Sequence, residues 1–386
     1  MLAPPIYMTI FRRNIHSFHF FYITGFLAGA GLGMVAASAH GLKPGVILLL
    51  SLLSCLSFFI VAMIEKRICQ AENIVYYHHE IGILVVSTLT LIALRVNVLS
   101  YLDITILCIS LFNMISRFGC LFVGCCHGRP SKFGIRYGHQ HTKQGFPSYY
   151  ENIVLFPVPL AESLSVGVII VYCLYYMSRP QYVPGEILMI HFSVYGLIRF
   201  LLEFFRGDPE RPYWLGVSEA QWTTAGILAV SLTAASLGYL PLHAWHVWLA
   251  GLILGMLISR ILVYQFDPVC RLASPRQIRE LANILATVGK RVPHPKGINH
   301  SSGSLQVFET GMGLVLSVSK TRGETGEAYC YTISLNSGHR PMSFRIAKQI
   351  AGWICVLENH TDRDWQAIEN TRGIFHLIWT TQSLSL

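Results

Sequence analysis

YLDITILCISLFNMISRFGCLFVGCCHGRP, Tyr101 to Pro130, is the stretch on which the fold turns. Its first part, 101–118, is close to the ~20 mostly apolar residues that a membrane-spanning helix needs. Its end then places Arg117, three cysteines, three glycines and Arg129 within fourteen residues. Ionisable residues inside or at the end of a span are expensive to bury and are functional suspects by default.

Seven further windows read as spans, at approximately 18–39, 45–64, 80–98, 160–177, 185–204, 222–240 and 245–264. The break GYLPLHAWH (238–246) is short enough for the last two to form one bent excursion. The expected architecture is therefore an all-α polytopic membrane domain of seven to eight transmembrane helices over residues 1–264. Composition agrees. Of 386 residues, 53% are hydrophobic and 13% charged, against about 25% charged in a soluble domain. No compact leader with a cleavage site is evident at the N-terminus. The net charge of +9 suits loops facing anionic lipid and calls for no nucleic-acid partner.

Arg12, Arg13, Lys66, Arg67, Arg129, Lys132, Arg136, Lys143, Arg206 and Arg211 gather on one set of loops. The opposite loops hold little beyond Lys43 and Arg179. The positive-inside rule then puts both termini and the thiol loop in the cytoplasm, in a protein of the cytoplasmic or inner membrane.

Beyond residue 264 the character changes. PRQIRELANILATVGKR (275–291) sets Ile278, Leu281, Ala282 and Leu285 on one helical face, with basic residues on the others. It reads as an amphipathic helix on the membrane surface or as one packed on its own domain. Residues 265–303 are thus a juxtamembrane helix and linker, ending in VPHPKGINHSSGS (292–304). In 304–386, LVLSV and AYCYTISL alternate with period two around KTRGETGE, FRIAKQIAGWICVL has helical spacing, and GIFHLIWT reads as a last strand. This is a small α+β soluble domain without a nucleotide-binding loop or metal motif.

Three places carry chemistry. In YGLIRFLLEFFRGDPERPYWLGVSEAQW (195–222), Arg199 and Glu203 stand four apart on one helix face, with Arg206 three further on. A planar guanidinium engages phosphate oxygens in pairs. The stripe reads as a phosphate-binding cleft, or else as a structural ion pair. In the opening stretch, Arg117 stands where the span leaves the bilayer, and Gly119, Gly124 and Gly128 form a pocket floor close to a ligand, closed by Arg129. The alternative is a snorkelling arginine before a turn-rich loop. Cys120, Cys125, Cys126 and His127 offer ligand types for a metal, but adjacent cysteines are a poor zinc pattern, so no metal is expected. A reactive thiol activated by the arginines and an inert buried thiol both stay open. The third place is VYYHHEIG (75–82), where His78 or His79 is suited to acid–base work or to an interfacial position. Glu162, in FPVPLAESLSVG, is a carboxylate near a helix N-terminus.

Together these segments resemble the prolipoprotein diacylglyceryl transferase family. RFLLEFFRGDPE followed by LGVSEAQW is similar to that family's RF-x-x-EFFR-x-PD and LG-x-S-x-x-QW. SRFGCLFVGCCHGRP is similar to GR-x-G-N-F-x-N-G-E-x-x-GRP, and FPVPLAE to HPSQLYE. The likeness runs from the first helix to about residue 222. It implies transfer of a diacylglyceryl group from phosphatidylglycerol to the lipobox cysteine thiol of a prolipoprotein signal peptide, releasing glycerol phosphate. It implies no cofactor. Carried over, Arg117 and Arg199 face the phosphate, Glu203, Arg206 and Glu162 stand beside them, and His78 is the family's histidine. Two positions depart: the loop glutamate falls on Cys125 and an asparagine on Cys120. Cys125 is then a candidate transient carrier of the lipid group. The departures keep two other functions in view. One is transfer of a phospholipid-derived group to a different acceptor. The other is a lipid-binding sensor without catalysis.

Overall fold

The computed structural model describes residues 3–10, 12–69, 75–208, 211–291, 307–323, 326–336, 341–358 and 365–380. It forms two compact units. One comprises Met1–Arg129, Phe156–Arg206 and Arg211–Ile261; the other comprises Pro130–Leu155, Gly207–Glu210 and Leu262–Leu386. Residues 130–155 are grouped with the C-terminal unit.

The first unit is helical: α1 (Ser17–Ala39), α2 (Pro44–Cys69), α3 (Tyr76–Ala93), α4 (Val98–Val123), α5 (Val158–Met177), α6 (Glu186–Phe205), α7 (Glu219–Ser236) and α8 (Ala244–Phe266). Six of these, all but α3 and α7, are long and apolar enough to cross a membrane. α3 opens on Tyr76, Tyr77, His78, His79 and Glu80, which shortens its apolar part. The chain is a multi-pass membrane protein with a helical body and a small C-terminal sheet. Large apolar side chains such as Leu52 and Met63 on α2, Val168 on α5 and Trp248 on α8 face outward, as helices meeting lipid require.

α4 is the central post. α1 approaches it closely because Gly29 and Gly33 stand against the Cys108 backbone and side chain, the small-residue contact that lets membrane helices pack. Asn97 caps the start of α4 through Ser100 N. Asp103, wholly buried, serves α6. Its carboxylate accepts from Gly185 N at 2.6 Å, Leu188 N at 2.9 Å and Tyr182 Oη at 2.7 Å. A negative side chain at a helix start satisfies the unpaired amides and the dipole. This fixes α6 against α4. Within α6, His191–Tyr195 forms a π turn, a local widening common at functional sites. Leu91, Ile104, Leu107, Ile170, Ile187 and Tyr195 lie in the shared core.

The second unit holds a five-stranded antiparallel sheet. Its strands are β1 (Val307–Glu309), β2 (Leu314–Gly323), β3 (Gly326–Leu335), β4 (Trp365–Thr371) and β5 (Ile374–Thr380), in the order β4-β5-β3-β2-β1. The β2–β3 hairpin and last strand stand where period-two alternation placed them; β1 and β4 add two more. Leu316 pairs with Ile333, and Ile333 with Phe375. Against this face packs α10 (Phe344–Leu357) through Ile346, Ile350 and Ile354. The helix Pro275–Arg291, α9, buries Leu281 and Leu285 in that same core. Its apolar face is thus used within its own unit.

Candidate active site

Four arginines and two glutamates converge in the first unit. α4 runs past the apolar window that ended at 118 and stops at Gly124, whose φ of 83° is the left-handed cap that a residue without Cβ adopts freely. Arg117 lies more than a turn inside the helix and is buried. Its Nη2 is 2.9 Å from Glu162 Oε1, and its guanidinium covers the Tyr76 ring at 5.8 Å. α5 brings Glu162 there because Ser163 Oγ donates to Met114 O at 2.8 Å and ties the two helices together.

Glu162 is completely buried. Besides Arg117 it meets Arg199 Nε at 3.9 Å and accepts from Tyr195 Oη at 2.9 Å. Arg199 reaches Glu203 at 2.7 Å, and Glu203 also meets Arg211 at 2.9 Å and Arg206 at 3.9 Å. The stripe read from spacing is one buried network across α4, α5 and α6. Among the described residues, the Nε–H groups of Arg117 and Arg199 and the hydroxyl of Tyr76 are buried without a hydrogen-bond partner. Such donors cost about 1–3 kcal/mol each when left unmet.

The loop after α4 is built by backbone. Arg129 N donates to Phe205 O at 2.8 Å, Phe156 N to Arg129 O at 2.9 Å, and Arg129 Nε to Arg206 O at 3.0 Å. Gly128 bridges Arg206, and a Cβ there would collide with the Phe156 carbonyl. Each of the three glycines has a use within the chain: Gly119 lies against Phe18 of α1, Gly124 ends α4, and Gly128 admits the Phe156 backbone. Arg129 likewise clamps the end of α6. In the family-like pattern 215–222, Ser218 and Gln221 form a capping box for α7, and Gln221 Nε2 donates to Phe200 O at 3.2 Å. That motif holds the helix carrying Arg199.

The thiol loop returns on α4. The Sγ atoms of Cys120, Cys125 and Cys126 all lie within 4.8 Å of one another. Cys126 Sγ is 3.9 Å from Arg117 Nη1. Hydrogen bonds from Cys120 and Cys125, with the charges of Arg206 and Arg117 and against burial, hold the Cys126 thiol well below the usual thiol range, while hydrogen bonds with Cys120 and Cys126, then burial, push Cys125 above it. Of the two, Cys126 is the one held toward the thiolate, whereas the sequence pattern singles out Cys125.

His78 does not join the arginines. Its ring nitrogens lie 2.6 Å from Glu65 and 2.8 Å from Glu219, and among the described residues no bond links it to the cluster. His79 is buried and stacks on Phe58. The histidine tied to the cluster is His191. Its Nε2 is 2.7 Å from Glu80, its Nδ1 is 3.0 Å from Ser110 Oγ, and its ring lies 4.8 Å from that of Tyr195. A histidine inside an apolar run was the signal for it, and the π turn aims it.

A family model described as prolipoprotein diacylglyceryl transferase matches residues 5–240. The chain belongs to the prolipoprotein diacylglyceryl transferase family. The match reaches the end of α7, farther than the motifs around residue 222. Over 114 residues the chain is 34% identical to a phosphatidylglycerol–prolipoprotein diacylglyceryl transferase of Clostridium tetani, covering 29% of this chain and 43% of that protein. Over 135 residues it is 27% identical to phosphatidylglycerol–prolipoprotein diacylglyceryl transferase 2 of Clostridium perfringens, covering 34% and 49%. The chain thus aligns with under half the length of each relative. Within this family member, the buried arginine network falls inside the matched region.

Proposed function

We propose that this protein transfers the diacylglyceryl group of phosphatidylglycerol to a prolipoprotein lipobox cysteine and releases glycerol phosphate. One observation carries the reading: Arg117 and Arg199, both buried, share Glu162 and keep Nε–H donors unmet. A phosphodiester oxygen supplies the acceptor that those donors lack. The acceptor thiolate attacks the glyceryl carbon, the carbon–oxygen bond breaks, and the electron pair stays on the departing phosphate. Arg117 and Arg199 stabilise that charge where water is excluded. Glu162 positions both arginines, and Glu203 holds Arg199. His191, held by Glu80 and Ser110 and packed against Tyr195, takes the acid–base role first given to His78 and receives the proton lost by the thiol.

A second reading, transfer to a different acceptor, is favoured by thiols standing where the family resemblance places asparagine and glutamate, at Cys120 and Cys125. One assay separates the two. Protein in phosphatidylglycerol vesicles is mixed with a lipobox peptide and the peptide mass is followed. A diacylglyceryl adduct that disappears in Arg117→Ala supports the first reading. Absence of the adduct beside an active family enzyme refutes it, and glycerol phosphate released without peptide modification supports the second.

A further inference from the structure

The end of α4 gathers sulfur. Cys120 sits in the last turn, its carbonyl accepting from Gly124 N at 2.8 Å. The left-handed Gly124 then reverses the chain, so Cys125 and Cys126 fold back onto Cys120. Sequence spacing argued against a metal because adjacent cysteines rarely share one. Here they do not work as a pair alone, since the third thiol comes from the helix. Metal–sulfur bonds of about 2.3 Å arranged as a triangle separate the sulfurs by about 4 Å. The Cys125–Cys126 separation is 4.0 Å, and the three sulfurs lie within 4.8 Å of one another.

We propose that Cys120, Cys125 and Cys126 form a trigonal three-thiolate site for a soft monovalent ion of the Cu(I) class. Among the described residues this is the one group of three or more His, Cys, Asp and Glu with ligand atoms so placed. Thiolates select Cu(I) and zinc over hard cations. Structural zinc takes four ligands, whereas this cluster presents three, and Nδ1 of the neighbouring His127 lies 3.0 Å from its own chain at Gly128 O. On binding, three Cu–S bonds form, and each cysteine still protonated gives up its S–H proton to solvent. No electron moves, because the ion enters as Cu(I). The complex carries two negative charges, and Arg117, 3.9 Å from Cys126, lies beside them. The proposal stands apart from the transfer reaction: a chain with no transferase activity would still bind the ion.

The test uses the full-length protein in detergent, fully reduced, with Cu(I) supplied as its acetonitrile complex against bathocuproine disulfonate as competitor. The expected result is one Cu(I) per chain and an X-ray absorption shell of three sulfurs. Cys120→Ser, Cys125→Ser and Cys126→Ser should each abolish the stoichiometric site, while Cys55→Ser leaves it intact. Unchanged melting of each variant in the absence of copper separates loss of a ligand from misfolding. Should one variant fail to fold, the other two and the sulfur count decide. No stoichiometric uptake, or uptake indifferent to all three substitutions, overturns the proposal. So does tighter binding of zinc in a four-ligand shell.

Discussion

Glu162→Gln keeps the shape of the side chain and removes its charge, so it isolates what that carboxylate does for the arginines. At an effective dielectric of about 20, the 2.9 Å contact with Arg117 and the 3.9 Å contact with Arg199 are attractive by about 6 and about 4 kcal/mol before desolvation is subtracted. Desolvation offsets much of this, and losing one partner of a buried pair costs about 3–5 kcal/mol. At about 2–4 °C per kcal/mol for a body of this size, Tm of the detergent-solubilised protein falls by ~10 °C. The variant also leaves Arg117 and Arg199 facing each other without that charge. Added glycerol phosphate should therefore raise Tm more in Glu162→Gln than in wild type. The assay is thermal unfolding with and without glycerol phosphate. A fall below ~2 °C, or equal ligand shifts in both proteins, would refute the view that Glu162 balances two buried cations.

Gly128→Ala drives a methyl into the Phe156 carbonyl; overpacking of this kind costs about 1–3 kcal/mol. It should lower Tm and adduct yield more than Gly119→Ala, whose methyl meets Phe18 Cα at 3.2 Å, and equal effects would count against the backbone clamp. His191→Gln should reduce adduct formation at least ~10-fold, within the range of a lost acid–base group, while His78→Gln leaves most of it; the reverse order would return the role to His78. Because the Cys126 thiol is held low, its thiolate persists as pH falls, and is lost only below the ordinary thiol range of about 8.5. Alkylation of Cys126, followed by peptide mass, should then stay nearly flat from pH 8.5 down to 7. A tenfold loss per pH unit over that interval would show an ordinary thiol.

The helical body was legible because membrane spans announce themselves by length and apolarity, and the C-terminal hairpin and helix because their periods differ. What was misread follows from how each signal works. The apolar window closes at 118, just after Arg117 and before the glycine and cysteine run. The helix continues through Phe118 to Val123, since those residues are apolar and only Gly124 breaks it. Arg117 was legible as a charge near the end of a span, but its pairing with Glu162 on another helix was not. His191 lay in a run read for apolarity, and a π turn has no sequence signature. The glycines were assigned to a ligand because sequence shows a missing Cβ without showing which backbone uses the space. β1 and β4 were passed over: β1 has three residues, and β4 exposes most of its side chains, leaving no clear alternation.

The arginine network bears on function through its cost. Replacing a buried ion pair by apolar side chains of similar volume is often neutral or stabilising, by up to about 4 kcal/mol. Glu162 cross-links α4 and α6 through Arg117 and Arg199, but leucine or methionine could join the same helices without desolvating any charge. Two features have no place in a purely structural device. Tyr195 spends its hydroxyl on Glu162, strengthening the carboxylate's anchoring while leaving both Nε–H donors unmet. Arg117 also lies over the Tyr76 ring, which holds its guanidinium in one plane. On the proposed function, a guanidinium fixed in plane, with a donor in reserve, receives an oxyanion without reorganising, and that is the condition under which electrostatic stabilisation of a leaving phosphate is largest.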